Sequence, residues 1–177
     1  MPTAVKLDFK EHTIKDAEWA APILYKNSSN ICEHSFTTIW MWRKYYNNQI
    51  ARYEDSIFVR SGDVEPLYLI PVGGDLKRNI QILKDYQHER GEFLTIFGAN
   101  AEVKKQIDQW FPGQFEWRPS EADFDYIYNT EDLALLKGRK YHSKRNHIAS
   151  FSSSYDWSYE PISPDNADEV YQMVIEW

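Results

Sequence analysis

QIARYEDSIFVR, residues 49 to 60, is the stretch that decides the fold. Its two arms, Gln49 to Tyr53 and Ser56 to Arg60, hold β-branched and aromatic residues, and Glu54 and Asp55 lie between them. Two polar residues separating two such runs predict a β-hairpin. A hairpin pairs its strands antiparallel, because a parallel pair needs a crossover far longer than two residues. A sheet that contains this segment is therefore not a uniform βαβ series.

Downstream, Pro66 to Val72 (PLYLIPV) predicts a third strand. Gly73, Gly74 and Asp75 then open a helix with Leu76, Ile80, Leu83 and Tyr86 at helical spacing, ended by Gly91. This strand–glycine–helix junction resembles a phosphate cradle only loosely. It lacks the GxGxxG and GxxxxGK[ST] spacings, and Asp75 stands where an anion would approach. An ordinary turn with Asp75 as N-cap is the better reading. Glu92 to Gly98 predicts a buried strand, and Ala101 to Trp110 a helix stopped by Pro112 and Gly113. Phe115 to Arg118 and Asp123 to Tyr128 predict two more strands.

Upstream, Lys6 to His12 alternates like a short strand, and Thr13 with Asp16 suggests a capping box. The helix that follows contains Pro22, which predicts a kink or an early end. Asn27 to Asn30 predicts a loop. His34 to Tyr46 predicts a second helix capped by Ser35, although its β-branched and aromatic content also suits a strand. Phe36, Ile39, Trp40 and Arg43 share one face, which reads as core, or alternatively as an aromatic pocket wall with Arg43 at its rim. The fold class expected is α/β of the α+β kind: a mixed, mostly antiparallel sheet flanked by helices.

Composition sets the outer limits. The chain has 177 residues, 42% hydrophobic and 16% aromatic, enough for one domain with a real core, or one domain and part of a second. A net charge of -7 argues against coating nucleic acid with the whole surface, and no duplex DNA partner is expected. Cys32 is the one cysteine, so neither an internal disulfide nor a multi-cysteine zinc site forms; it reads as a buried or half-buried thiol. The N-terminal residues carry no signal-peptide h-region, and no run reaches the roughly 18 apolar residues of a membrane span. A soluble, cytoplasmic protein is expected.

Past Tyr128, Thr130 with Glu131 and Asp132 begins a helix in which Leu133, Leu135 and Leu136 pack and which Gly138 breaks. Tyr141 to Phe151 predicts another, followed by a polar break at Ser152 to Ser154. Asp156 to Pro161 predicts a strand and Pro164 to Trp177 a helix, with Asp165 as a candidate cap. That helix ends on Val174, Ile175 and Trp177, with no C-cap glycine or last-turn cation. The expected organisation is a first domain over 1–154, then the opening strand and helix of a second over 155–177, contacting the rest of that domain downstream.

The densest chemistry lies between these parts. From Lys137 to His147 there are five cations, Lys137, Arg139, Lys140, Lys144 and Arg145, with His142, Asn146 and His147 among them and no acid. Arg and Lys in such number can satisfy several phosphate oxygens. A solvated helix face balancing Glu121, Asp123, Asp125, Glu131 and Asp132 is the plainer explanation of a charge run. The interleaved aromatic, histidine and asparagine residues favour a site. The anion-binding set read here is Arg139, Lys140, His142, Lys144, Arg145, Asn146 and His147. Two histidines five apart do not share a helix face, so no metal is assigned. No catalytic residue is assigned either.

The same stretch carries a family resemblance. Asp125, Tyr126, Ile127 and Tyr128, then Glu131, Asp132, Leu133, Leu136, Gly138, Arg139 and Lys140, then His142, Lys144, Arg145, Asn146, Ile148 and Phe151, resemble a bacterial family similar to the C-terminal domain of phosphatidylglycerol lysyltransferase. Ser35, Phe36, Ile39, Trp40 and Arg43 resemble that family's N-terminal aromatic helix. The resemblance implies a GCN5-related N-acetyltransferase-like (GNAT-like) fold in tandem copies, so that 155–177 would open the second copy. It also implies acyl or aminoacyl transfer from a phosphate-bearing donor, a charged tRNA or a CoA-like molecule. This chain lacks the Q/R-x-x-G-x-G/A loop that holds pyrophosphate in acetyl-CoA enzymes. Beside the transferase, two further readings stand: a non-catalytic module that supports a second domain, and, more weakly, a regulatory nucleic-acid binder.

Overall fold

The structure, a computed structural model, describes residues 5–27, 31–121, 124 and 126–176. Two compact units divide the chain, Met1–Asp123 and Phe124–Trp177.

The hairpin forms at the center of the first unit. β2 (Gln49–Tyr53) and β3 (Ser56–Ser61) pair antiparallel, with Tyr53 opposite Ser56 and Gln49 opposite Arg60. Glu54 takes the positive φ, 50°, that so tight a connection requires. β1 (Lys10–Glu11) joins the outer side of β2 antiparallel. β4 (Leu67–Leu69) and β5 (Val72–Gly73) both pair antiparallel with β3. Pro71, with no N–H to give the ladder, falls in the break between them. Helix α3 (Leu76–His88) then carries the chain to β6 (Thr95–Phe97), which pairs parallel with β4. The order is β1-β2-β3-β4-β6, with β5 on β3. The sheet is mixed, mostly antiparallel and flanked by helices.

Strand residues alternate between two buried faces. Ile50, Ile57, Val59 and Leu69 face a core shared with Ala20 and Leu24 of α1 (Ala17–Lys26), Phe36 and Ile39 of α2 (Phe36–Met41), and Ile107 of α4 (Ala101–Trp110). Ala51, Phe58 and Tyr68 face the other way, onto Ile82, Leu83 and Tyr86 of α3. Covering both faces explains why β3 is apolar at consecutive positions rather than alternating with polar ones. Phe58 has no exposed surface, and burying such a ring contributes about 2 to 3 kcal/mol.

Several expectations change here. Pro22 does not end α1, which runs on to Lys26. Pro22 and Glu18 lie on the solvent face, where water can satisfy the Glu18 carbonyl that the proline leaves without a donor. α2 stops at Met41, short of the predicted Tyr46. The chain turns there to bury Asn48, whose side chain donates to the Ile39 carbonyl at 3.3 Å and accepts from Ser61 at 2.7 Å. β6 is half-buried, not buried, because it is the sheet edge, and Phe93 before it is exposed. Cys32 is exposed in a 3-10 turn, Cys32–His34, and is not buried. Phe115 to Arg118 forms no strand. Side chains hold it instead: Trp117 donates its indole N–H to Asp108 at 2.7 Å, and Phe115 meets Phe111 edge-on. The loop residues Ser28 to Asn30 lie outside the described residues, as do Asp123 and Asp125 of the strand predicted over Asp123 to Tyr128; its described positions, Phe124 and Tyr126 to Tyr128, form no strand.

In the second unit, α5 (Thr130–Leu135) follows Asn129, so the cap position falls one residue before the predicted Thr130. Leu133 and Leu135 are roughly half exposed instead of packed. A 3-10 turn, Arg139–Tyr141, leads into α6 (His142–Ser154), which absorbs the predicted serine break. Asp156 to Pro161 pairs with no strand among the described residues and is irregular. α7 spans Ala167–Glu176.

Candidate functional site

The basic stretch is assembled around the α5–α6 junction. α5 ends where Leu136 turns left-handed, φ 46°. Gly138 follows at φ 87° and ψ 174°, a conformation that only glycine adopts without strain. A Cβ there would meet nothing within 4 Å, so conformation, not crowding, demands the glycine. This reversal sets the 3-10 turn and the first turns of α6 beside the end of α5.

All seven predicted site residues lie on this one junction, and all are exposed. Arg139 and Lys140 sit on the turn; His142, Lys144, Arg145, Asn146 and His147 occupy the start of α6. Their roles divide. Lys140 lies 3.1 Å from Asp132 Oδ2 and 4.7 Å over the Tyr141 ring. Its ammonium pKa is raised, first by the hydrogen bond to Asp132 and then by Tyr141. The Tyr141 hydroxyl donates to the same carboxylate oxygen at 3.3 Å, and the Tyr141 ring is buried. Arg145 donates through Nη1 to the carbonyls of Gly138, at 2.9 Å, and Leu136. Asn146 Nδ2 is 3.3 Å from His142 Nε2, and Ser143 Oγ is 3.3 Å from His147 Nε2, each pair four residues apart on the helix. Lys137, Arg139 and Lys144 make no ion pair among the described residues.

Sequence reasoning placed Asp132 among acids that balance the run, but not as the direct partner of Lys140 and Tyr141. The signal was the eight- and nine-residue separations, which become short only once Gly138 folds the chain back. Asp125, read as an acid paired to the basic segment, lies outside the described residues.

The first unit holds a cleft of about 230 Å³ where the parallel strands β4 and β6 end and α3 and α4 begin. Ile31, His34, Ile70, Gly74, Gly98 and Asn100 are among its lining residues. Both helix starts already have acceptors: Asp75 Oδ1 takes the Arg78 N–H at 3.1 Å, and Asn100 Oδ1 the Val103 N–H at 2.9 Å. Gly73 is glycine because a Cβ would stand 2.2 Å from the Asp55 carbonyl. The junction is therefore the capped turn expected from Asp75, with the carboxylate occupying the site an anion would need. Burial lowers the His34 pKa, and Glu33 opposes that shift.

Comparison with known proteins bears on the whole chain. The family model described as phosphatidylglycerol lysyltransferase, C-terminal, matches residues 27–177. No curated protein matches. A crystal structure of a conserved protein of unknown function from Bacteroides thetaiotaomicron VPI-5482 superposes with a TM-score of 0.81 at 31% identity, over 97% of this chain and 59% of that one. The present chain thus spans less than two thirds of the length of that relative.

Proposed function

The chain belongs to the phosphatidylglycerol lysyltransferase C-terminal family, and from that premise we propose that it serves an acyl- or aminoacyl-transfer reaction, with the α5–α6 junction holding the phosphates of the donor. The arrangement of the sheet and its flanking helices is compatible with a GNAT-like fold for this family. The observation that carries the reading is the exposure of Lys137, Arg139 and Lys144 at one junction, each without an ion pair among the described residues. Such cations hold phosphate oxygens without first breaking an internal bond. Lys140 can join them only in competition with Asp132. His142, Asn146 and His147 supply further polar atoms along the same helix start. A charged tRNA and a CoA-like molecule share the phosphate chemistry this site would recognise.

Titration of the chain with bulk tRNA and, separately, with CoA tests this. The double variant Arg139→Ala with Lys144→Ala is expected to weaken whichever donor binds by at least roughly tenfold, and to flatten the salt dependence by about two phosphate contacts. Unchanged affinity in that variant overturns the proposal.

A second reading has its own observation. Ile148, Phe151, Trp157, Val174 and Ile175 of the second unit are all about half exposed or more. Side chains of this size suit a module whose apolar faces are covered by a further domain, such as the additional length of the B. thetaiotaomicron relative could supply. On this reading a second domain starts near Tyr155, and the basic junction supports it without catalysis. A chain that binds neither tRNA nor CoA, and that gains protease resistance when longer polypeptide is present, would favour this module. Among the described residues no helix is long and apolar enough to cross a membrane; a cytoplasmic setting is part of the same proposal.

A further inference from the structure

We propose that Arg145 is a positioning residue of the basic junction and not one of its anion ligands; this rests on the donor-binding reading above. The guanidinium reaches back from the second turn of α6 to the carbonyls of Leu136 and Gly138. Those two carbonyls flank Lys137, and Arg139 follows directly. The backbone between them is irregular: Leu136 is left-handed and Gly138 takes a glycine conformation. No side chain of Leu136–Gly138 is buried, so packing does little to fix this segment.

Arg145 therefore sets where two of the three unpaired cations leave the main chain. The arginine supplies several rigidly placed N–H donors and remains charged, which suits gripping two carbonyls at once. The Leu136 carbonyl, at the C-cap of α5, also lies at the negative end of that helix, which favours a cation there. Both bonds are made by Nη1, which holds the guanidinium against the main chain. Lys137, Arg139 and Lys144 are left to meet the ligand.

Two readouts on the full chain test this, one with a ligand and one without. Backbone amides of Leu136, Tyr141 and His142 donate to the carbonyls of Asp132, Gly138 and Arg139 within this junction. Hydrogen exchange at these amides is expected to accelerate roughly tenfold in Arg145→Ala, the effect of losing charge-assisted hydrogen bonds, and to be intermediate in Arg145→Lys. Calorimetric titration with inorganic pyrophosphate is then run as a cycle of Arg145→Ala with the pair Lys137→Ala and Arg139→Ala. A positioning role predicts that Arg145→Ala weakens binding in the parent but adds little once Lys137 and Arg139 are gone. Unchanged exchange in Arg145→Ala, or a fully additive loss of affinity, overturns the proposal. If the parent chain binds no pyrophosphate, the donor reading falls, and the exchange measurement alone decides whether Arg145 holds the turn.

Discussion

Asn79, buried on α3, donates its side-chain amide to Ser56 Oγ over 2.9 Å, and so ties the helix to the second strand of the hairpin. The same Nδ2 donates to the Gly73 carbonyl at 3.0 Å. Both side chains are almost wholly buried. Asn79→Ala leaves the hydroxyl and the carbonyl without this donor, and a cost of about 1 to 3 kcal/mol is expected. The urea midpoint measures it; a change under about 0.5 kcal/mol would contradict the role given to this bond.

Gly73 and Gly113 separate close approach from conformation. Both have positive φ, 89° and 69°. A Cβ at Gly73 would also strike the Asp55 carbonyl, whereas one at Gly113 meets nothing within 4 Å. Gly113→Ala is expected to cost about 1 kcal/mol, from φ alone, and Gly73→Ala at least about 3 kcal/mol. Thermal unfolding of the two variants side by side tests the ordering.

Asp16 is expected to hold part of the acid stability. Burial by itself would raise its pKa, but hydrogen bonds from the Thr13 N–H, the Trp19 indole and Lys10 prevail and hold it at about 2, below the ordinary 3.8. A depressed carboxylate stabilises the fold above its unfolded pKa, and that contribution is lost as pH falls from 3.8 toward 2. Asp16→Asn should cost on the order of 1 to 2 kcal/mol at neutral pH, with the gap to the parent closing in that acid window. A gap that persists at the acid end would mean the carboxylate acts through shape rather than charge.

His12 sets a second, milder pH window. Its ring is buried against Phe36, with the backbone of Ile39 and Asn48 beside it and the charges of Asp16 and Arg43 near. Burial lowers its pKa below 6.5 and outweighs the backbone and Asp16, which raise it; Arg43 adds to the lowering. The unfolded chain takes up the proton first as pH falls, so stability is held above 6.5 and declines below it. His34, lowered by burial too, contributes in the same direction. His12→Leu should make the urea midpoint less sensitive to pH below that value, and the His12→Leu, His34→Leu pair less sensitive still. An unaltered pH slope in the pair would remove the histidines as its cause.

The carboxylate of Asp132 competes with any anion for Lys140 across 3.1 Å. Asp132→Asn keeps an oxygen for the Tyr141 hydroxyl but removes the charge. At these exposures water screens the pair and it adds little to the fold, so the variant should fold normally. Pyrophosphate is expected to bind it roughly two- to fivefold more tightly at low salt, with the gain fading as salt rises. Weaker binding would show that Asp132 orders the junction more than it opposes the ligand.

The local rules were legible in particular residues. Glu54 and Asp55 turn the hairpin, Asp75 caps its helix, and the cations of 137–147 gather at one place, because each depends on neighbours a few positions away. Where an element depends on a distant partner, sequence reading failed. Phe115 to Arg118 and Asp156 to Pro161 look like strands, but a strand exists only if another offers it a ladder. Leu133 and Leu135 look like core, but helical spacing does not say whether anything covers them.

The basic junction divides along the same line. The amino-acid sequence by itself determined that five cations, two histidines and an asparagine would stand together on a turn and a helix start, since helical spacing and one glycine place them. Only the tertiary structure decided what each does. Asp132 and Tyr141 engage Lys140, and the carbonyls of Leu136 and Gly138 engage Arg145, leaving Lys137, Arg139 and Lys144 for solvent. Charge is written in the residue type, but which charges are already neutralised depends on distances of about 3 Å that arise once Gly138 reverses the chain.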